Sequence, residues 1–297
     1  MYLTNVTRLM YSRIRREIIY FLSPIAPTLC SKMMYFHRFH RPLHIINPKT
    51  LNEKIMWLKL NKYCKNPLVT QCADKYLVRD YVKSVGCGDI LNDLLFVWND
   101  PEEIDWSKLP ERFILKCNHG CGYNLICTEK AMLNESKSKI QLKKWKKTDY
   151  WRLYSELQYR GITKKIICEK FLGQDNCVPA DYKVYCFNGR PLYILVCINR
   201  NYGKPKFYFF DKDWKFCPIT HDGMNVSRNF SLPRPIWLEK MLEYSERLSR
   251  PFPFVRVDFL STREQLTFGE LTFTPSAALD TDRLPEIDMM FGDLLEI

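Results

Sequence analysis

The segment from Phe254 to Pro275 constrains this chain more than any other. It reads Phe-Val-Arg-Val-Asp-Phe-Leu, then Ser-Thr-Arg-Glu-Gln, then Leu-Thr-Phe-Gly-Glu-Leu-Thr-Phe-Thr-Pro. Two β-branched and aromatic runs around a short polar stretch predict a β-hairpin. Side chains alternate along a strand, so Val255, Val257, Phe259, Leu271 and Phe273 share a face suited to a core. Arg256, Asp258, Glu270 and Thr272 share the other parity. A turn centred on Arg263 or Glu264 brings these four polar groups out on one face, with Asp258 and Glu270 opposed or diagonal. An even-length turn would separate them. Opposed carboxylates repel unless a cation lies between them, and hard oxygen ligands suit Mg²⁺ carrying nucleotide phosphates. The competing reading is an amphipathic hairpin with a solvated charged face.

The remaining 275 or so positions must supply the partners. The net charge of +12 favours polyanions: nucleotide phosphates, nucleic acid, an anionic membrane face or an acidic polysaccharide. Twelve cysteines are scattered without a Cys-x-x-Cys pair, and the five histidines form no His-Glu-x-x-His. That pattern argues against zinc and for reduced thiols in a cytosolic protein, with Cys168, Cys186 and Cys197 as small buried hydrophobes. Arg13 to Arg16 precede Ile18-Ile-Tyr-Phe-Leu, a run too short to span a bilayer and interrupted by Pro24 and Pro27. It reads as a basic aromatic helix that either packs on the body or touches an anionic membrane surface.

Hydrophobic periodicity predicts a capped helix over 50–60, an amphipathic helix over 73–85, strands at 91–98, 113–117 and 125–127, and a helix over 137–160. Further strands are expected at 166–172, 182–187, 192–198 and 206–210, with Asn188-Gly189-Arg190-Pro191 as a hairpin turn, and a helix over 238–250. Mixed helices and hairpins indicate α+β rather than a doubly wound parallel sheet. Lys116 ends an apolar strand just before Cys-Asn-His-Gly-Cys-Gly-Tyr-Asn. Lysine followed by a loop with Gly120 and Gly122 is a plausible polyphosphate clamp, or merely a turn.

Together these stretches resemble the ATP-grasp superfamily, and more closely its TupA-like family, associated with teichuronopeptide and surface polysaccharide synthesis. The resemblance rests on Thr-Leu-Asn-Glu-Lys-Ile-Met-Trp-Leu-Lys at 50–59, Ala-Asp-Lys-Tyr at 73–76 and Phe-Ile-Leu-Lys-Cys-Asn-His-Gly at 113–120. It continues with Asp-Tyr-Lys-Val-Tyr-Cys-Phe-Asn-Gly at 181–189, Pro-Phe-Val-Arg-Val-Asp-Phe at 253–259 and Gly-Glu-Leu-Thr-Phe-Thr-Pro at 269–275. It implies an ATP-grasp-like fold with ATP between two α+β lobes. The expected division is a basic helical extension (1–49), an N-terminal lobe (50–112), a nucleotide-clamping lobe (113–172) and a metal-binding lobe (173–297).

By the same resemblance, Lys75 and Lys116 neutralise the α- and β-phosphates and the Gly120–Gly122 loop folds over them. Glu169, Lys170, Phe171 and Leu172 form the connecting strand beside adenine, and Asp175 meets the ribose. Lys183 reaches the γ-phosphate, Asp258 and Glu270 hold Mg²⁺ with help from Thr272, and Arg256 steadies the transferring phosphoryl group or the acceptor carboxylate. Thr272 departs from the asparagine common there, and Ser276-Ala-Ala-Leu replaces the glycines that relatives tend to carry after Thr-Pro.

The implied activity is an ATP- and Mg²⁺-dependent carboxylate–amine ligase. Its implied substrates are an anionic, uronic-acid-containing glycan precursor and an amino acid or other amine, with no nucleic acid partner. Two rivals stand beside it. Asp211-Lys-Asp213 after an apolar strand is the Asp-x-Asp of a nucleotide-sugar glycosyltransferase or a simple turn, and a basic glycan-binding scaffold needs no catalysis. Taken singly, Lys75 reads as a solvated helix lysine, His119 as a loop residue with one hydrogen bond, and the lysine-aromatic run 137–154 as a solvated face or a glycan or lipid contact.

Overall fold

The structure is a computed structural model describing residues 5–173, 179–198, 205–227 and 229–297. Two helices open it, α1 (Asn5–Leu22) and α2 (Pro27–Phe39), with Pro27 at the first turn of α2, where its missing N–H is harmless. Helix α3 (Leu51–Asn61) follows, started by a reciprocal capping box between Thr50 and Glu53. Its buried face carries Leu51, Ile55, Met56 and Leu58 and, unexpectedly, Lys59.

Of the helix expected over 73–85 only α5 (Val78–Ser84) forms, and a separate helix, α4 (Pro67–Ala73), precedes it. Asp74 causes the break. Its carboxylate accepts from the N–H groups of Tyr76 (2.7 Å) and Leu77 (3.2 Å), a local turn that competes with the helix. Lys75 therefore stands in a tight turn rather than on a helix face.

Strands β1 (Leu94–Trp98), β2 (Phe113–Cys117), β3 (Asn124–Cys127) and β4 (Ile166–Lys170) form an antiparallel sheet in the order β1-β4-β2-β3. Helix α6 (Glu135–Lys147) covers it, closing a small core around Phe113, Leu115, Leu142, Ile166 and Cys168. The single helix expected over 137–160 stops at Thr148, whose backbone is extended, and resumes as the short α7 (Tyr150–Tyr154), ended by Ser155 in the left-handed region. The run is not a uniformly solvated face. Lys139 and Lys143 pair with Glu102 and Lys146 with Asp100, while Trp151 is buried and Tyr150 turns inward.

The second sheet holds β5 (Ala180–Phe187), β6 (Arg190–Ile198), β7 (Lys206–Asp211), β8 (Phe216–Cys217), β9 (Phe254–Ser261) and β10 (Leu266–Thr272). Its order is β10-β9-β5-β6-β7-β8, antiparallel throughout. Asn188 and Gly189, at φ 51° and 75°, make the tight β5–β6 turn. A four-residue α8 (His221–Met224) and the amphipathic α9 (Leu238–Ser249) follow β8, and α10 (Pro285–Asp293) closes the chain against α3. Approach there is close enough that a Cβ on Gly292 would overlap the Lys49 carbonyl. A large core gathers around this sheet, including Val255, Val257, Phe259, Leu271 and Phe273, each contributing about 1.5–3 kcal/mol by burial. The architecture is α+β.

Candidate active site

The β9–β10 hairpin reaches the expected facing by a different route. Its loop is Thr262–Gln265, an even count, since Ser261 pairs with Leu266 and Phe259 with Phe268. That register alone would set Asp258 opposite Gly269. Gly269 instead forms a bulge, and beyond it Glu270 pairs with Asp258, Leu271 with Val257 and Thr272 with Arg256. Only glycine suits the spot, because a Cβ would lie 2.9 Å from the Asp258 carbonyl oxygen. Leu266 and Phe268, before the bulge, point into the core; Glu270 and Thr272, after it, point out.

On β5, Lys183 pairs with Asp258, so Lys183, Asp258 and Glu270 form one row across three strands, with Tyr185, Arg256 and Thr272 as the next row. Asp258 is almost fully buried and saturated with cations. Arg256 grips it with Nε and Nη2, both at 2.7 Å, and Lys183 reaches it at 2.9 Å while also bonding Asp181 at 2.9 Å. Lys75 meets Glu270 at 3.2 Å and donates to the Gly120 carbonyl at 2.8 Å. Thr272 donates to Glu270 and accepts from Arg256.

These contacts set the charge states. Burial alone would raise the Glu270 carboxyl, but Lys75, Arg256 and Lys183 outweigh it and hold it at about 2. Burial pulls Lys75 and Lys183 down, and their carboxylate neighbours more than reverse that. Each group is firmly ionised at neutral pH.

A second ionic cluster adjoins the first. Glu169 on β4 binds Lys116 at 2.5 Å and Arg79 at 3.6 Å, and it also acts on Lys75. Lys116 is therefore close to the hairpin rather than in a remote cleft. Asn118 ties the parts together: its side chain donates to Asp74 and to the Thr163 carbonyl, and its backbone carbonyl accepts from the Lys75 N–H. Gly120 lies on the ring of Tyr150, so close that a Cβ would approach it to 2.6 Å, and Gly122 has φ +76°. His119 is buried, with Nε2 3.2 Å from the Trp145 carbonyl, and burial holds it down to about 4.

Other expected residues fall nearby or outside. Lys170 is exposed and its N–H is engaged by the Asp93 carbonyl, leaving Phe171, stacked under Arg112, and Leu172 as the continuing segment. Asp175 lies outside the described residues. The Asp-x-Asp is a turn: Asp211 accepts from the N–H groups of Asp213 and Lys215, Lys212 pairs with Asp213, and Trp214, at φ 63°, does not resume a strand.

A cavity of about 470 Å³ opens over the polar face of the hairpin. Arg256, Glu270 and Thr272 line one side, Cys121 and Tyr150 another, and Glu156 and Tyr159 the base. Its remaining wall is the turn after Thr274, where Ser276, Ala277 and Ala278 have φ of 50°, 57° and 62°. Three left-handed residues in succession are strained, as happens where a functional site dictates backbone shape. Sequence reasoning missed Asp74, Arg79, Asn118 and Glu156. Only Asp74, a turn-forming type after a short helix, carried a local signal.

Asp258 and Glu270, directly opposed, suit a hard divalent ion. Among the described residues no group of three or more His, Cys, Asp or Glu side chains could hold a metal, so phosphate and other oxygens would have to complete the shell. That the pair already gathers one guanidinium and two ammonium groups shows its demand for positive charge.

No curated protein matches the chain. Among solved structures, D-alanine–D-alanine ligase from Bacillus anthracis is similar at 15% identity and TM-score 0.43, covering 75% of this chain and 63% of that one. The corresponding ligase from Helicobacter pylori gives 15% and 0.40, covering 75% and 58%. The ATP-grasp ligase PsnB, complexed with a phosphomimetic variant of its minimal precursor, Mg and ADP, gives 10% and 0.38, covering 74% and 57%. This chain thus spans less than two thirds of the length of these proteins. Residues 53–296 match the family described as TupA-like ATPgrasp, most of the sequence and the whole of the site above. The chain belongs to the TupA-like ATP-grasp family.

Proposed function

We propose that this protein is a Mg²⁺- and ATP-dependent ligase that activates a carboxylate for attack by an amine. One observation carries the reading: Lys183, Asp258 and Glu270 stand in register across three strands, Lys75 pairs with Glu270, and Glu270 lines a cavity. Asp258 and Glu270 would hold Mg²⁺, with the Thr272 hydroxyl beside them. Bound Mg²⁺ and ATP would supply phosphate-charge neutralisation and carboxylate activation as an acyl phosphate. Lys75 and Lys116 would take the inner phosphates, the Gly120–Gly122 loop would cover them, and Lys183, bonded here to Asp258, would serve the outer phosphate. The segment Glu169–Leu172 borders adenine. Arg256 keeps its place beside the reacting carboxylate. Such work is positioning and charge neutralisation, the main sources of catalysis in phosphoryl transfer.

For the finer reading, a uronic acid on a surface glycan or its precursor suits a cavity with Arg256 on one side and Arg38 on another. Helix α1 supports peripheral contact with an anionic membrane: Met10, Ile14, Ile18 and Phe21 are exposed at helical spacing beside Arg13 and Arg16. Among the described residues no helix is long and apolar enough to cross a bilayer.

A thermal-shift titration tests the function. Magnesium-dependent stabilisation by ATP, about 2.7 kcal/mol at a hundredfold excess over Kd, is expected for the wild type and lost in Asp258→Asn. Stabilisation by UDP-sugars instead would favour a glycosyltransferase, and indifference to both would leave a scaffold.

A further inference from the structure

Beneath the cavity, on the side away from Lys183, lies a buried polar cluster that phosphate binding does not use. Glu156 lines the cavity yet is only 3% exposed. Its Oε1 accepts from the Thr274 hydroxyl, while Oε2 is buried with no partner at hydrogen-bond distance, the Tyr150 hydroxyl acting on the carboxylate only weakly. Thr274 in turn accepts from Gln158 Nε2 at 3.0 Å, since its one proton goes to Glu156. That fixes the amide orientation and leaves Gln158 Oε1, also buried, without a donor. Orphaned acceptors cost of order 1–3 kcal/mol each, and Glu156, the one of the two that lines the cavity, calls for a donor there.

The surroundings define that donor. Burial raises the Glu156 carboxyl, Thr274 and the fully buried Lys59 pull it partly back, and the Lys59 ammonium itself donates to the Tyr154 carbonyl at 3.0 Å. Tyr150, Tyr154 and Tyr159 supply aromatic walls on the same cavity. An alkylammonium has three donors, no acceptor and an affinity for aromatic faces. Thr274 continues the outward row of Glu270 and Thr272, so a nitrogen held at Glu156 lies along the strand from the proposed metal pair.

We propose that the Glu156 side of the cavity is the acceptor subsite, where the Oε2 carboxylate oxygen receives the ammonium group of the amine substrate. The assignment rests on the ligase reading above. It makes the acceptor a primary amine small enough to share about 470 Å³ with the activated carboxylate.

Ethylamine and its neutral counterpart ethanol are the probes, read by saturation-transfer NMR at pH 7 with Glu156→Gln and Glu156→Asp. Saturable binding of ethylamine but not ethanol is expected, weakened at least tenfold in Glu156→Gln and largely kept in Glu156→Asp. If Glu156→Gln does not fold, alkylation of the exposed cavity residue Cys121, followed by peptide mass, decides on the wild type: ethylamine should protect it and ethanol should not. Equal binding to wild type and Glu156→Gln, or no saturable binding or protection, overturns the proposal and leaves a water as the occupant. Magnesium–ATP stabilisation is measured on the same preparation. Its absence with Glu156-dependent amine binding intact sinks the ligase reading and leaves an amine site with no acceptor role, whereas its presence with Glu156-independent amine binding sinks the acceptor subsite alone.

Discussion

Replacing Gly269 by alanine tests the one structural device on which the paired carboxylates depend. The added methyl would sit 2.9 Å from the Asp258 carbonyl oxygen and 3.3 Å from its carbon. Those are backbone atoms of the neighbouring strand, so no side-chain rotation relieves the contact and the ladder itself must open by several tenths of an ångström. Overpacking of this kind costs about 1–3 kcal/mol. With about 2–4 °C of Tm for each kcal/mol, the melting temperature should fall by roughly 2–12 °C. Because the strain falls directly between Asp258 and Glu270, magnesium-dependent stabilisation by ATP should drop as well. Gly161→Ala is the comparison, since its methyl would meet only Thr70 Cγ2 at 3.5 Å, an ordinary contact, and should leave both readouts unchanged. Differential scanning fluorimetry with and without Mg–ATP measures both effects. An unchanged Tm for Gly269→Ala would show that the bulge is not as described, and with it the opposition of Asp258 and Glu270 would fall.

Other substitutions separate the remaining parts of the argument. Glu270 titrates near 2 in the folded chain against 4.5 when unpaired, so the native state binds fewer protons in that window. Its ion pairs therefore contribute stability above about pH 4.5 that disappears as pH falls toward 2, and the stability gap between wild type and Glu270→Gln should narrow over that range in urea titrations. Ala277→Gly and Ala278→Gly remove left-handed strain of about 1–2 kcal/mol each, partly offset by glycine entropy, and should raise Tm by a few degrees. A lowered Tm would mean the turn is not strained. Asp211→Asn and Asp213→Asn should leave Mg–ATP stabilisation intact, because both belong to an exposed turn. Loss of nucleotide response there would reopen the glycosyltransferase reading.

The legible parts of the sequence were those governed by period and local chemistry. Alternation along Phe254–Phe259 and Leu271–Phe273 revealed both faces of the hairpin, and the Thr50–Glu53 box announced α3. Parity counting could not place the bulge, because one extra residue looks the same as a longer turn. A glycine inside a strand was the available clue. The helix breaks at Asp74 and Thr148 escaped notice since apolar spacing continues across them. Asp74 bonds its own downstream backbone, and Tyr150 turns in to carry Gly120. Lys59 and Glu156 were illegible for a deeper reason. Charged residues are rarely buried, and their burial here depends on partners about 100 residues apart in the chain.

The ionic cluster itself explains how one site can be stable empty and receptive when filled. Buried carboxylates left alone are unstable, so Asp258 and Glu270 must hold cations at all times. Without nucleotide, Lys75, Lys183 and Arg256 fill that need from within the chain. A divalent ion arriving with phosphates brings charge of both signs together. On the proposed reading the carboxylates would exchange ammonium groups for metal, and the released lysines would turn to phosphate oxygens. Every charge remains paired on both sides of the exchange, so little desolvation cost is added by binding. A lone divalent ion offers no such balance, because it would expel lysines with nowhere to go. On that reading nucleotide and metal would be selected as a unit, coupled by the row across β5, β9 and β10.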